Sequence, residues 1–253
     1  MKHLELKWML QNKVFGAWQS NPIIDDGIMY ITQRPNDVIA MDARTGRVYW
    51  VYEHTPDPAY QVCCGANNRG VALLGDKLFM GTLDGKLVAL DKVTGQPVWQ
   101  QTVGDVKLAY SVTMAPLAIK DKVIVGTGGG EYGIRGYIVA YDAETGERVW
   151  RWYTVPGNPA DGFENDAMAM AAETWTGEWW KFGGGGTVWH GITYDPEFDQ
   201  VLIGTGNGTP WNRHIRSPDG GDNLFLCSVV ALDATTGEYR WHHQTVPGET
   251  WDY

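Results

Sequence analysis

Apolar residues along this chain come in short runs that stop at a polar turn, and one arrangement recurs four times. It reads Met41-Asp42…Thr45-Gly46…Trp50, Leu90-Asp91…Thr94-Gly95…Trp99, Tyr141-Asp142…Thr145-Gly146…Trp150 and Leu232-Asp233…Thr236-Gly237…Trp241. Asp and Trp are eight positions apart in every copy, and successive Trp residues are 49, 51 and 91 apart. A β-rich run such as Lys86-Leu-Val-Ala-Leu90 enters a turn whose Asp can cap its own backbone. The Gly is free to take positive φ, as a type I turn with a G1 bulge requires. The return strand alternates apolar residues, Val48 and Trp50 in the first copy. Further strands are predicted upstream of each unit, over 28–32, 77–82, 122–126 and 200–204. Several short antiparallel strands in each unit of about fifty residues are the signature of a propeller blade.

The interval from Trp150 to Trp241 is stretched by an insertion over 157–186, with a predicted helix over 164–173 and the four glycines 183–186. Long loops on a rigid scaffold carry function or cover an opening. Residues 1–10 hold charges at Lys2, Glu5 and Lys7, which interrupt any apolar stretch of a secretory signal. Neither terminus has the form of a domain boundary. The 253 residues are therefore expected to be a single-domain, partial propeller cut from a longer protein.

Composition sharpens this picture. Thirteen Trp and 32 Gly fit many tight turns, each with an aromatic packing site. Against 30 Asp+Glu stand 20 Lys+Arg, giving a net charge of −10. That argues against nucleic acid or an anionic membrane as the main partner. No apolar run approaches the length of a membrane-spanning helix. The chain contains neither GxxxxGK[ST] nor Cys-x-x-Cys-His, so phosphate-loop and c-type haem chemistry are not supported. Cys227 is read as a small strand residue.

Several motifs stand between the repeats. Cys63-Cys64 opens CCGANNRG, which also holds Arg69. Thr113 begins Thr-Met-Ala-Pro, Glu131 lies in GTGGGEYGIRG, and Thr187-Val-Trp189 follows the four-glycine run. Asn207 sits in GTGNGTPW, and Asp252 in Thr-Trp-Asp-Tyr. With the Trp repeats, these motifs resemble the pyrroloquinoline quinone (PQQ)-dependent alcohol dehydrogenases of the methanol/ethanol dehydrogenase type. The resemblance runs along nearly the whole chain and covers roughly the N-terminal half of such a catalytic subunit. It implies an all-β fold, a β-propeller of Trp-docking repeats, with about four blades of an expected eight-bladed ring.

The same resemblance implies a site. Adjacent Cα atoms are about 3.8 Å apart, below the usual disulfide range, so a Cys63–Cys64 bond would close a strained eight-membered ring. In the family that vicinal disulfide lies against one face of PQQ, and a bond of this kind fits an oxidising periplasm. Trp189 matches the tryptophan on the opposite face. Arg69 matches an arginine whose fork pairs with a PQQ carboxylate, and Thr113 matches a hydroxyl donor. Thr187, Gly129 and Gly130 belong to the segments pressed close to the cofactor. Glu131 and Asn207 match oxygen ligands of Ca²⁺ or a lanthanide. Asp252 matches the catalytic aspartate beside that metal. Two positions depart from the pattern: Gln19 where Glu is common, and Gly128 where a serine is usual.

The reaction implied is alcohol oxidation to an aldehyde. The metal acts as Lewis acid on the PQQ C5 carbonyl, Asp252 takes the alcohol proton, and hydride passes to C5. Electrons then leave singly to a cytochrome c or a quinone. The alternative is a non-catalytic propeller scaffold that binds other proteins and keeps the Trp repeats without the site. A fragment inactive without its second half is a third reading, because the family draws further contacts from there.

Overall fold

The structure, a computed structural model, describes residues 3–12 and 14–252. Each repeat folds as one four-stranded antiparallel sheet. Blade 1 comprises Ile23–Asp25, Ile28–Gln33, Asp37–Asp42 and Val48–Tyr52; blade 2 comprises Ala72–Leu74, Lys77–Gly81, Lys86–Asp91 and Pro97–Thr102. Blade 3 follows with Leu117–Ile119, Lys122–Gly126, Tyr137–Asp142 and Arg148–Tyr153. Blade 4 is Thr193–Asp195, Gln200–Gly204, Ser228–Asp233 and Tyr239–Gln244. The chain is thus all-β, mostly antiparallel, and part of a propeller. The expected strands at 122–126 and 200–204 appear with those bounds, and the other two shift by one residue at their C-terminal ends.

Apolar runs without strict alternation arise because the central strands are buried on both faces. In Lys77–Gly81, Leu78 and Met80 pack with Tyr30, Val38 and Ala40 of blade 1. Phe79 turns the other way, into a cluster with Val123, Val125 and Val139 of blade 3. A third cluster joins Ile124, Ile138 and Trp152 to Val201, Ile203 and Val230 of blade 4. The core therefore lies in layers between successive blades.

The repeated turn locks those layers together. Asp42, Asp91 and Asp142 each accept the Thr backbone N–H three residues on at 2.7 Å, and Asp233 does so at 2.8 Å. Hydrogen bonds from these threonines hold the Asp42, Asp91 and Asp142 carboxyls below the usual carboxylate range. The glycines that follow have φ of 71–75°, and the ladder slips by one residue opposite each. Three of these glycines also receive the Trp of the preceding blade. A Cβ on Gly95 would sit 2.5 Å from the Trp50 ring, one on Gly146 2.8 Å from Trp99, and one on Gly237 2.5 Å from Trp150. Gly46 receives Trp8 in the same way, at 2.7 Å, with the Trp8 indole N–H on Ala43 O at 3.1 Å.

This arrangement makes a measurable prediction. Gly146→Ala in the full-length protein is expected to cost about 1–2 kcal/mol for the left-handed backbone and about 1–3 kcal/mol more for overpacking against Trp99. Gly75 has φ 61°, and a Cβ there would meet no atom within 4 Å, so Gly75→Ala should cost the first amount only. Urea unfolding of both variants measures the difference, and equal costs would show that the Trp docks loosely.

In the insertion the helix is Asp166–Ala172, shorter at both ends than expected. Asn165 starts it, its side chain accepting the Met168 N–H at 3.0 Å. Ala167, Met168 and Ala171 are buried in the layer between blades 3 and 4. Downstream, the glycines 183–186 all have positive φ, at 78, 83, 80 and 70°. Only glycine populates that region freely over four successive residues. Within this stretch Gly184–Gly185 pairs with Gly208–Thr209. Cys227 lies in a turn ahead of Ser228–Asp233 at φ 44°, rather than in the strand expected for it. No helix among the described residues is long and apolar enough to cross a membrane.

Candidate active site

The blades hold their connecting loops around one cavity of about 280 Å³. Its lining gathers residues from Gln19 to Asp252. Cys63, Cys64 and Arg69 line it, as do Thr113, Gly129 and Glu131, and also Thr187, Trp189 and Asn207. Of the residues expected at a site, only Gly130 is absent from the wall; it is buried between Gly129 and Glu131, which do line it. Tyr253, which completes the Trp-Asp-Tyr motif, lies outside the described residues. Cys63 and Cys64 are joined as a disulfide.

Hydrogen bonds tie the loops into one frame. Ser111 and Gly128 exchange backbone bonds at 3.2 and 2.7 Å, and the Thr209 hydroxyl donates to Gly130 O. Gly206 N–H donates to Thr187 O at 2.9 Å, and Gly186 N–H to Asn207 O at 2.8 Å. The left-handed glycine run thereby places Thr187-Val-Trp189 beside the Asn207 turn. Thr113 Oγ1 donates to Trp189 O at 3.3 Å, a long bond that leaves its hydroxyl at the cavity wall.

Among the described residues Arg69 is the only cation in the lining. One of its Nη atoms donates to Thr113 O at 3.1 Å, and the guanidinium carbon stands 5.0 Å from the centre of the Trp189 ring. Burial lowers its pKa. No carboxylate among the described residues pairs with it in an ion pair, although most of its donors remain unused. A half-buried guanidinium with donors to spare can receive an anionic, planar group.

The carboxylates in the wall are Glu131 and Asp252. Among the described residues no cluster of three or more His, Cys, Asp or Glu side chains is gathered for a metal. The third oxygen donor is instead an amide. Asn207, 4% exposed, donates through Nδ2 to Gly208 O at 3.2 Å. Its Oδ1 faces the turn that carries Glu131, 3.7 Å from where a Cβ on Gly130 would stand. Two carboxylates and an amide oxygen form a hard donor set, suited to Ca²⁺ or a lanthanide and not to a thiophilic metal.

The family pattern "Glucose/ethanol/alcohol dehydrogenase, beta-propeller domain" matches residues 4–253. The chain belongs to this PQQ family. It is 48% identical to the quinohemoprotein alcohol dehydrogenase ADH IIB of Pseudomonas putida, over 100% of this chain and 37% of that protein. The solved quinohemoprotein alcohol dehydrogenase of Comamonas testosteroni superposes with a TM-score of 0.87 at 48% identity, covering 94% of this chain and 36% of that one. A europium-containing methanol dehydrogenase gives 0.87 at 36% identity, over 98% of this chain and 45% of that one. The chain thus spans little more than a third of the length of the curated relatives it matches.

Reading the PQQ motifs alone misses part of the wall. Ser111, 2% exposed, lines the cavity, and its Oγ is 2.8 Å from where a Cβ on Gly128 would lie. A hydroxyl therefore stands in this corner although the family's serine is replaced by glycine. Asn67 also lines the cavity, donating through Nδ2 to Cys64 O at 2.9 Å. Farther out, Arg34 Nε donates to Ala66 O at 2.9 Å and braces the disulfide loop. Asn67 lies within the CCGANNRG motif, but Ser111 and Arg34 belong to none, and only their neighbours in space reveal them.

Proposed function

We propose that the full-length protein containing this chain oxidises an alcohol to an aldehyde, using PQQ with Ca²⁺ or a lanthanide. The observation that carries this reading is the convergence on one cavity of a vicinal disulfide, Trp189, an acid-free Arg69 and a hard oxygen donor set. When bound, the metal and quinone together supply the two-electron acceptor for hydride from the alcohol carbon. The disulfide and the Trp189 indole offer apolar surface to a planar ring system. Arg69 orients it through a carboxylate, with the Ser111 and Thr113 hydroxyls within the same wall. Glu131, Asn207 and Asp252 would hold the metal. Asp252 also accepts the alcohol proton as general base. Electrons pass on to a cytochrome c or a quinone, and the disulfide fits an oxidising, periplasmic location. In this reading the insertion over 157–186 is the element that delivers Trp189 and Thr187.

A propeller scaffold would need the docked Trp residues and nothing of this donor set. The test is reconstitution of the full-length protein with PQQ and either Ca²⁺ or La³⁺. Retained PQQ absorbance with alcohol-dependent dye reduction is expected. Absence of both with either metal would overturn the assignment. Within that experiment, Glu131→Gln should raise the Ca²⁺ dissociation constant about tenfold or more, since affinity follows ligand charge. Unchanged Ca²⁺ dependence of activity would remove Glu131 from the ligand set.

A further inference from the structure

Behind the cavity, two segments far apart in sequence are held by a single carboxylate. Glu249 is 1% exposed. Its Oε1 accepts the backbone N–H of Asp252 at 2.9 Å, and its Oε2 accepts the backbone N–H of Gly208, next to Asn207, at 3.0 Å. Arg216, wholly buried, lies against the same carboxylate, with Nη2 3.3 Å from Oε2 and 2.6 Å from Glu249 O. Its other donors reach Pro210 O at 2.5 Å, Trp211 O at 3.3 Å and Asn223 Oδ1 at 3.2 Å. The guanidinium thus clamps the turn after Asn207 to the segment before Asp252.

We propose that Glu249 is a positioning residue that sets the separation of Asn207 and Asp252. The inference rests on the reading of those two as metal ligands. A planar carboxylate with one oxygen committed to each backbone N–H fixes the distance between the two segments. Arg216 supplies the counter-charge and prevents rotation of the group. Such outer supports of a metal site typically change affinity by about 10–100-fold when removed. Glutamine cannot replace this function. It has the same size, but its single amide oxygen can accept only one of the two N–H groups, and its NH₂ then faces the other, donor against donor.

The test uses the full-length protein with PQQ present. Dissociation constants for Ca²⁺ are measured by equilibrium dialysis, and for Tb³⁺ by tryptophan-sensitised luminescence. The variants are Glu249→Ala, Glu249→Gln, Asn207→Ala and Asp252→Ala, with thermal unfolding of each metal-free protein as a check on folding. We expect both Glu249 variants to bind the metal about 10–100-fold more weakly while still folding. If the Asn207 and Asp252 variants lose affinity but both Glu249 variants stay within twofold of the parent, the positioning role is overturned and the metal site stands. If the Asn207 and Asp252 variants keep their affinity, the metal reading fails and the positioning role falls with it. Failure of both Glu249 variants to fold would assign the carboxylate to folding instead, which also overturns the proposal.

Discussion

If the proposed function holds, Asp252→Asn in the full-length protein is expected to lower kcat for alcohol oxidation by about 10²–10⁴-fold, the usual contribution of a positioned general base. The amide keeps an oxygen for the metal but cannot take a proton at neutral pH. Asp252→Ala removes both capacities, so it should lose turnover to at least the same extent and also weaken Ca²⁺. In neither case should PQQ leave, because Arg69, Trp189 and the disulfide loop belong to other segments of the wall. The comparison separates two roles that one carboxylate has in the proposed mechanism. Steady-state turnover, PQQ absorbance and Ca²⁺ titration on the same preparations read them independently. Near-normal turnover in Asp252→Asn would sink the base assignment. Loss of turnover with loss of PQQ would instead make Asp252 part of the cofactor seat.

The blades are legible in the sequence because their chemistry is local. Each Asp, Thr and Gly act within five residues, so a repeated word carries the whole turn. The Trp that docks on the next glycine follows at fixed spacing. Trp8 escapes this reading, since no Asp…Thr-Gly turn precedes it, yet its ring reaches Gly46. Trp241 shows the converse. It is 42% exposed, with no further Thr-Gly turn among these residues to receive it. At the site, the motif residues could be named one by one because family resemblance supplied their roles. Their supports could not. Ser111 beside Gly128, Glu249 beneath Asn207 and Asp252, and Arg34 behind the disulfide loop act between segments distant in sequence. Such pairs have no spacing to detect. The same holds for His54, whose Nε2 lies 2.9 Å from the buried Asp84 across the blade 1–blade 2 connection.

Arg69→Ala is expected to produce opposite effects on binding and on stability. In the proposed complex its fork meets a PQQ carboxylate in a partly desolvated site. Truncating one partner of such a pair costs about 2–5 kcal/mol, a fall in PQQ affinity of roughly 30-fold to several thousand-fold. Arg69→Lys keeps the charge and loses the bidentate geometry, so its affinity should lie between the two. In the cofactor-free protein the same guanidinium is a desolvated cation without an acidic partner among the described residues, held by one carbonyl and an indole face. Keeping a charge there is unfavourable, so Arg69→Ala should leave the thermal stability of the PQQ-free protein unchanged or raise it. A purely structural arginine predicts the reverse pattern, with stability lost and PQQ affinity retained. Fluorescence titration with PQQ and thermal unfolding of the PQQ-free variant distinguish the two. The Trp189 indole is itself a reporter, because the guanidinium stacked over it in the free protein is removed in the variant.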